Sequence, residues 1–233
     1  MGIIQPIYKD KLVCSNYRAI KLLNVPYKIL SGILYNRLTE YAEEILGEYQ
    51  SRYRVNRSTI DHIFTIRQTQ EKVYEYNIHL HNLFTDFKKA FECVNRSRMS
   101  NDLLILGIPK KLVQLIGVTV ARSKATITVD NQYTSMFPIN NGARQGHALS
   151  SILFDLVLEA ILQKMNITGH IGTKSTQILA YADDVAIMSR SENAFKDTLF
   201  NTEKEARGRG LLVNENKTKY MHVAKAVLND EHL

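Results

Sequence analysis

Gln177-Ile178-Leu179-Ala180-Tyr181-Ala182-Asp183-Asp184-Val185-Ala186-Ile187-Met188 sets two short apolar runs around an acidic pair. Apolar runs of strand length on either side of a tight polar turn predict a β-hairpin with carboxylates at its tip. Adjacent carboxylates repel, so a fold that keeps them together needs an offsetting charge. A divalent cation is the usual one, because hard cations prefer carboxylate oxygen. An Asp-Asp pair is also an ordinary solvated turn, so it needs a partner before it implies chemistry.

That partner is Asp86. Residues 78–85, Ile-His-Leu-His-Asn-Leu-Phe-Thr, read as a strand entering the core, and Phe87-Lys88-Lys89-Ala90-Phe91 then turns toward helix. A carboxylate at such a junction is exposed where the sheet ends and can meet a hairpin tip on a neighbouring strand. Asp after a strand is also a common helix cap. Combined with the hairpin, three carboxylates suit two-metal phosphoryl transfer.

Working outward, the 233 residues are 45% hydrophobic and 23% charged, an ordinary globular composition long enough for one large domain or two small ones. The net charge of +7 favours a polyanionic partner such as nucleic acid. Two lone cysteines, Cys14 and Cys93, fit a reducing compartment and form no zinc cluster or disulfide framework. The start lacks the pattern of a secretory leader. No apolar run reaches the roughly 18 residues of a membrane span. The longest, 150–162, carries Asp155 and Glu159 one turn apart and predicts an amphipathic helix.

Residues 16–49 predict helix with Leu30, Ile33, Leu34, Leu38 and Tyr41 on one stripe. Residues 59–76 predict a second helix with Ile63, Ile66, Thr69 and Val73 inward and Ser58 or Thr59 as cap. Between them, 50–57 is a basic loop with Arg52, Arg54 and Arg57. Helices follow over 95–106 and from Pro109, then a strand pair about Asp130-Asn131, a loop at 142–146 and a helix from Ser150. After the acidic hairpin come a helix at 192–207 and two short strands, 211–213 and 220–223, around Asn216-Lys217. Helices first, then strands interleaved with helices and joined by hairpins, predict an α+β fold with an antiparallel sheet. His79 and His81 share a strand face without further ligands at a recognisable spacing, and read as packing or solvent-facing residues.

Several of these stretches together resemble the reverse transcriptase domain of non-LTR retrotransposons. Asn16-Tyr17-Arg18-Ala19-Ile20-Lys21-Leu22-Leu23 is similar to that family's early fingers block, and Arg54 with Arg57-Ser58-Thr59 to its arginine-containing fingers loop. Thr85-Asp86-Phe87-Lys88-Lys89-Ala90-Phe91 resembles its first palm motif. Gly142-Ala143-Arg144-Gln145-Gly146 with Leu149-Ser150 and Leu153-Phe154 resembles the second, Ala180 to Asp184 the third, and Gly210-Leu211 through Asn214 with Lys217-Thr218 the fourth.

The resemblance implies a right-hand polymerase fingers-palm fold with a ferredoxin-like antiparallel palm sheet and flanking helices. It implies fingers over 1–77, palm over 78–225 and a tail over 226–233, without endonuclease or full thumb, and so weak hold on primer-template. It implies RNA-directed DNA polymerase activity on an RNA template, a DNA primer and deoxynucleoside triphosphates, inside the cell and in the nucleus. By position, Asp86, Asp183 and Asp184 would hold two magnesium ions, with manganese as a substitute. Arg54 and Arg57 would clamp the triphosphate, and Phe87 would belong to the substrate site. Phe91 would exclude a 2′-hydroxyl, Gln145 would sit near the nascent base pair, and Lys217 would offer a proton to pyrophosphate. Glu92, His147, Arg52 and Asn56 stand where the family more often has Asp, an acidic or polar residue, and glycine at the last two. Two other readings stay open: an RNA-templated RNA polymerase, against which Phe91 argues, and a truncated relic that only binds nucleic acid.

Overall fold

In chain order, the computed structural model contains β1 (Gly2–Tyr8), β2 (Tyr17–Leu22), α1 (Val25–Ile45), α2 (Thr59–Glu75), β3 (Leu80–Thr85) and α3 (Ala90–Cys93). Next come α4 (Arg96–Ile105), α5 (Lys110–Val120), β4 (Ser123–Val129), β5 (Gln132–Tyr133), β6 (Phe137–Ile139) and α6 (Ala148–Leu162). The chain closes with β7 (Ile178–Tyr181), β8 (Asp184–Ser189), α7 (Glu192–Gly208) and β9 (Lys219–Val223). The structure describes residues 2–8, 17–52, 54, 56–121, 123–129, 132–143, 148–165 and 177–224. Among these, no helix is long and apolar enough to cross a membrane.

The chain divides into two units. One comprises residues 47–88, 161–208 and 212–233. Its sheet has the order β7-β8-β3-β9, with every pairing antiparallel. Numbered within that unit, the strands run 2-3-1-4, the ferredoxin-like order. Side chains alternate across a strand. Leu80 faces α2 and joins Val73, Leu179 and Met188 in one buried cluster. His81 faces the other way, toward Phe195 of α7 and Tyr220 of β9. The sheet is thus covered by α2 on one face and α7 on the other.

α2 starts where the sequence places it. Ser58 accepts from Ile60 N–H, and Asp61 Oδ2 accepts from Ser58 N–H at 2.8 Å, a reciprocal cap. Thr69 and Val73 are buried, whereas Ile63, expected inward, is 64% exposed. Val213 makes only a single bridge, to Phe87, and β9 pairs with β3, so the expected strand at 211–213 is not a ladder.

The other unit comprises residues 1–46, 89–160 and 209–211. Its sheet runs β2-β1-β4-β5, with β6 also on β4, and the β1–β4 pairing is its one described parallel ladder. Here the structure corrects three expectations. Residues 17–22 form a strand, paired from Tyr17 opposite Tyr8 to Leu22 opposite Ile3. Long-range pairing overrides the local helical period, and strands therefore precede the first helix. α1 buries Ser31, Leu34, Leu38 and Ala42, while Leu30, Ile33 and Tyr41 are 45%, 49% and 38% exposed. Finally, α6 is enclosed nearly all round, and Asp155 and Glu159 are each only 1% exposed and have partners. The expected turn at Asp130-Asn131 lies outside the described residues, between Val129 and Gln132, which pair.

Candidate active site

Thr85 on β3 lies opposite Val185 on β8. Asp86 follows the first and Asp184 precedes the second, so strand register alone sets the two carboxylates side by side at one end of the sheet. The β7–β8 hairpin closes with Tyr181 opposite Asp184, which leaves Ala182 and Asp183 as the turn. Ala182 is buried with φ +56°. Left-handed backbone costs a non-glycine residue about 1–3 kcal/mol and persists only where the surroundings enforce it. Here it reverses the chain in two residues and keeps both carboxylates at the reversal.

Asp86 is 9% exposed and well held. Its carbonyl accepts from Asn214 N–H at 2.7 Å. Its Oδ2 accepts from Asn214 Nδ2 at 3.0 Å and pairs with Lys217 Nζ at 2.8 Å. The loop before α2 is sewn to the outer edge of β7. Ser51 N–H donates to Ala180 C=O at 3.1 Å, and Ala180 N–H donates to Tyr49 C=O at 2.8 Å. This covers an open strand edge and delivers Arg52 to the tip. The Arg52 guanidinium lies 3.5 Å from Asp183 Oδ1 and 5.4 Å from the centre of the Tyr181 ring.

The other arginines are placed differently. Arg54 donates to the carbonyls of Gly47 at 3.0 Å and Gln50 at 3.4 Å, bracing its own loop. Arg57 pairs with Glu48. Of the two positions where glycine is more usual, Asn56 takes φ +60° and Arg52 does not adopt a positive φ. Asn is among the residues that tolerate this region best.

Charge crowding marks the site. Partial burial, then Asp183, then Asp86 push the Asp184 carboxyl above its usual range, with Lys217 and Arg52 pulling it back. The hydrogen bond from Lys217 to Asp86, and the acidic charges around it, raise the ammonium above its ordinary value, so it keeps its proton. Three carboxylates thus share two protein cations. Their all-oxygen chemistry fits a hard divalent ion. As the side chains stand, no three His, Cys, Asp or Glu among the described residues gather to hold a metal. Asp86 instead pairs with Lys217 through Oδ2 and Asp183 with Arg52 through Oδ1, so an ion shared by these carboxylates would require Asp183 to turn from Arg52.

A cleft of about 320 Å³ opens beside the carboxylates, walled by Ile63, Ile66 and His62 of α2, Phe84 and Leu179 of the sheet, and Lys217. Burial holds His62 below its ordinary pKa, and its Nε2 lies 2.6 Å from Ser51 Oγ. Phe87 is 3% exposed and packs as core. Phe91, in the other unit, stacks on Phe154 with ring centres 4.7 Å apart. Gln145 lies outside the described residues, as do Gly146 and His147. His79 and His81 both meet His222, ring against ring, away from the carboxylates. The sequence places Arg52 in the basic loop and Asn214 in the fourth motif without assigning either a role, and does not single out Ser51 or His62.

The reverse transcriptase (RNA-dependent DNA polymerase) family matches residues 7–229. The chain belongs to this family. The reverse transcriptase domain is 30% identical over 220 residues to a retrovirus-related Pol polyprotein from type-1 retrotransposable element R2 of Popillia japonica, covering 90% of this chain and 30% of that protein. It is 27% identical over 134 residues to the Pol polyprotein of type-2 element R2DM of Drosophila melanogaster, covering 57% of this chain and 13% of that one. The domain therefore spans less than a third of these curated relatives. A solved apo telomerase from Candida Tropicalis, truncated from its C-terminal domain, shares the fold with TM-score 0.66 at 15% identity, covering 97% of this chain and 51% of that one. These matches identify a reverse transcriptase domain of the non-LTR retrotransposon type with an α+β fingers-palm fold, in a family that generally uses divalent metals.

Proposed function

We propose that this domain extends a DNA primer on an RNA template by nucleotidyl transfer at Asp86, Asp183 and Asp184. The observation that carries the reading is the register of β3 against β8, which puts Asp86 and Asp184 at the same end of adjacent strands. Two magnesium ions bound there would lower the pKa of the primer 3′-hydroxyl and neutralise charge developing on the triphosphate.

The chain's own groups then divide the remaining work. Asp86, Asp183 and Asp184 would hold the metal ions through their carboxylate oxygens, Asp183 once turned from Arg52. Lys217, protonated through its acidic neighbours, is placed to give a proton to the departing pyrophosphate. Arg54 and Arg57 support the triphosphate once released from Gly47, Gln50 and Glu48. Arg52, 3.5 Å from Asp183, adds positive charge at the tip. By family resemblance, Phe91 would exclude a ribose 2′-hydroxyl, Phe87 would belong to the nucleotide site, and Gln145 would act near the nascent base pair. RNA template, DNA primer and deoxynucleoside triphosphates are the partners, and action on nuclear DNA follows from the non-LTR type.

A family match across nearly the whole chain favours this reading over an inert nucleic-acid-binding relic. Primer extension on an RNA template with magnesium and deoxynucleotides is expected to proceed, and to stop in the Asp183→Ala plus Asp184→Ala variant. Synthesis unaffected by that double change would refute the site. Preference for ribonucleotides would turn the reading toward an RNA polymerase.

A further inference from the structure

Asn214 holds Asp86 by two different bonds. Its backbone N–H donates to the Asp86 carbonyl at 2.7 Å, and its side-chain Nδ2 donates to Asp86 Oδ2 at 3.0 Å. Asn214 is itself locked. Its carbonyl accepts from Lys217 N–H at 3.0 Å, Thr218 N–H at 2.9 Å and Thr218 Oγ1 at 2.9 Å. The turn from 214 to 218 is therefore one hydrogen-bonded unit that carries both the amide and the Lys217 ammonium to the same carboxylate oxygen. Upstream of Asn214, Lys88 N–H donates to Leu212 C=O at 2.8 Å and Phe87 bridges Val213, so the segment is registered against the two residues that follow Asp86.

The consequence is rotational. A carboxylate at the end of a strand turns about its side-chain torsions unless one oxygen is pinned. The described hydrogen-bond and ion-pair contacts of the Asp86 side chain all fall on Oδ2, which leaves Oδ1 as the oxygen presented outward. Of the two contacts, the ammonium sits on a long flexible stem that is 68% exposed. The amide sits on a short side chain whose backbone is fixed by the turn. The amide is the pin with the smaller entropic cost.

We propose that Asn214 is a positioning residue that sets the Asp86 carboxylate for divalent metal binding, presenting Oδ1 to the ion. The proposal rests on the reading of Asp86 as a metal ligand. Groups that orient a ligating carboxylate typically change metal affinity by about 10- to 100-fold when removed.

The test is binding of Mn2+ alone to the whole chain, followed by the electron paramagnetic resonance signal of free Mn2+. Asn214→Leu keeps the side chain's branching and heavy-atom count and the backbone bonds but removes the amide. It is expected to weaken Mn2+ binding about tenfold or more. Thr218→Val loosens the same turn but leaves the amide in place, and is expected to change affinity less than threefold, roughly. Asn214→Gln, which returns an amide on a longer arm, is expected to recover part of the loss. If Asn214→Leu fails to fold, the ordering of Gln and Val against the parent still decides. A weaker grip in Gln than in Val supports the proposal, and equal affinities overturn it. Unchanged Mn2+ affinity in folded Asn214→Leu also overturns it, as does an equal loss in Thr218→Val. Asp86→Asn in the same titration separates the failures. If it abolishes binding while Asn214→Leu does not, only the positioning role falls. If it too leaves binding intact, the assignment of Asp86 as a ligand falls with it.

Discussion

Asp102 and Asp86 both face a cation, and they are held in opposite ways. Asp102 of α4 takes two parallel bonds from Arg209, at 2.7 and 2.9 Å, with both side chains 6–7% exposed. Every charge there is matched in number and in geometry, which is the form a buried ion pair needs to repay its desolvation. Asp86 takes one bond from a lysine whose side chain is 68% exposed, beside two further carboxylates whose cationic neighbours among the described residues are Arg52 and Lys217. The first arrangement is closed and leaves nothing for a ligand. Among the described residues the second has more carboxylates than cations, and its lysine is exposed. The difference separates a structural pair from a site that takes something up.

Replacing the surplus acids should break function and spare the fold. Asp86→Asn, or the Asp183→Ala plus Asp184→Ala pair, is expected to lower magnesium-dependent primer extension by on the order of 10³- to 10⁴-fold, the scale for removing members of a catalytic unit. Circular dichroism and the melting midpoint should stay near the parent's. A large drop in melting temperature with proportionate loss of activity would erase the distinction.

Breaking the closed pair should do the reverse. Arg209→Ala leaves Asp102 buried without its partner and is expected to cost about 3–5 kcal/mol in urea unfolding. Replacing both partners with apolar residues of similar volume should recover much of that. Gly210, the next residue, has φ +83° and sits so close to Cys93 that a Cβ would lie 2.5 Å from its carbonyl oxygen. Gly210→Ala is expected to cost about 1–3 kcal/mol through strain, read in the same denaturation curves.

The smallest expected effect is electrostatic. The folded protein holds the Asp184 proton more tightly than the unfolded chain does, because burial and Asp183 disfavour the charge. This group therefore favours folding fully below its ordinary value of 3.8 and loses that contribution as pH rises through its raised folded value. Asp184→Asn should melt above the parent at neutral pH, with the gap closing in acid. A gap that widens in acid would show that no crowding exists at the tip.

Much of this geometry was legible along the chain. The hairpin at 178–189, the strand ending at Thr85 and the cap at Ser58 all fall where local pattern places them, since each depends on short-range periodicity or turn chemistry. The strand at 17–22 was not legible, because its pairing with β1 is invisible to a local helical period. Nor was the burial of Asp155 and Glu159, which a pattern of charges assigns to water until packing encloses the helix. Arg52 is the clearest miss at the site. Nothing local says that an arginine two residues from Arg54 faces Asp183, because the bridge between residues 49–51 and Ala180 decides it.

The sequence by itself settled which residues carry charge at strand ends and how tightly the chain turns between them, because those follow from side-chain period and backbone sterics. Only tertiary structure decided which cation meets which carboxylate. That choice depends on pairing between segments up to 131 positions apart, as for Lys217 and Asp86. Long-range contacts of this kind are fixed when separate apolar faces are buried together, and no local stretch of the chain encodes them.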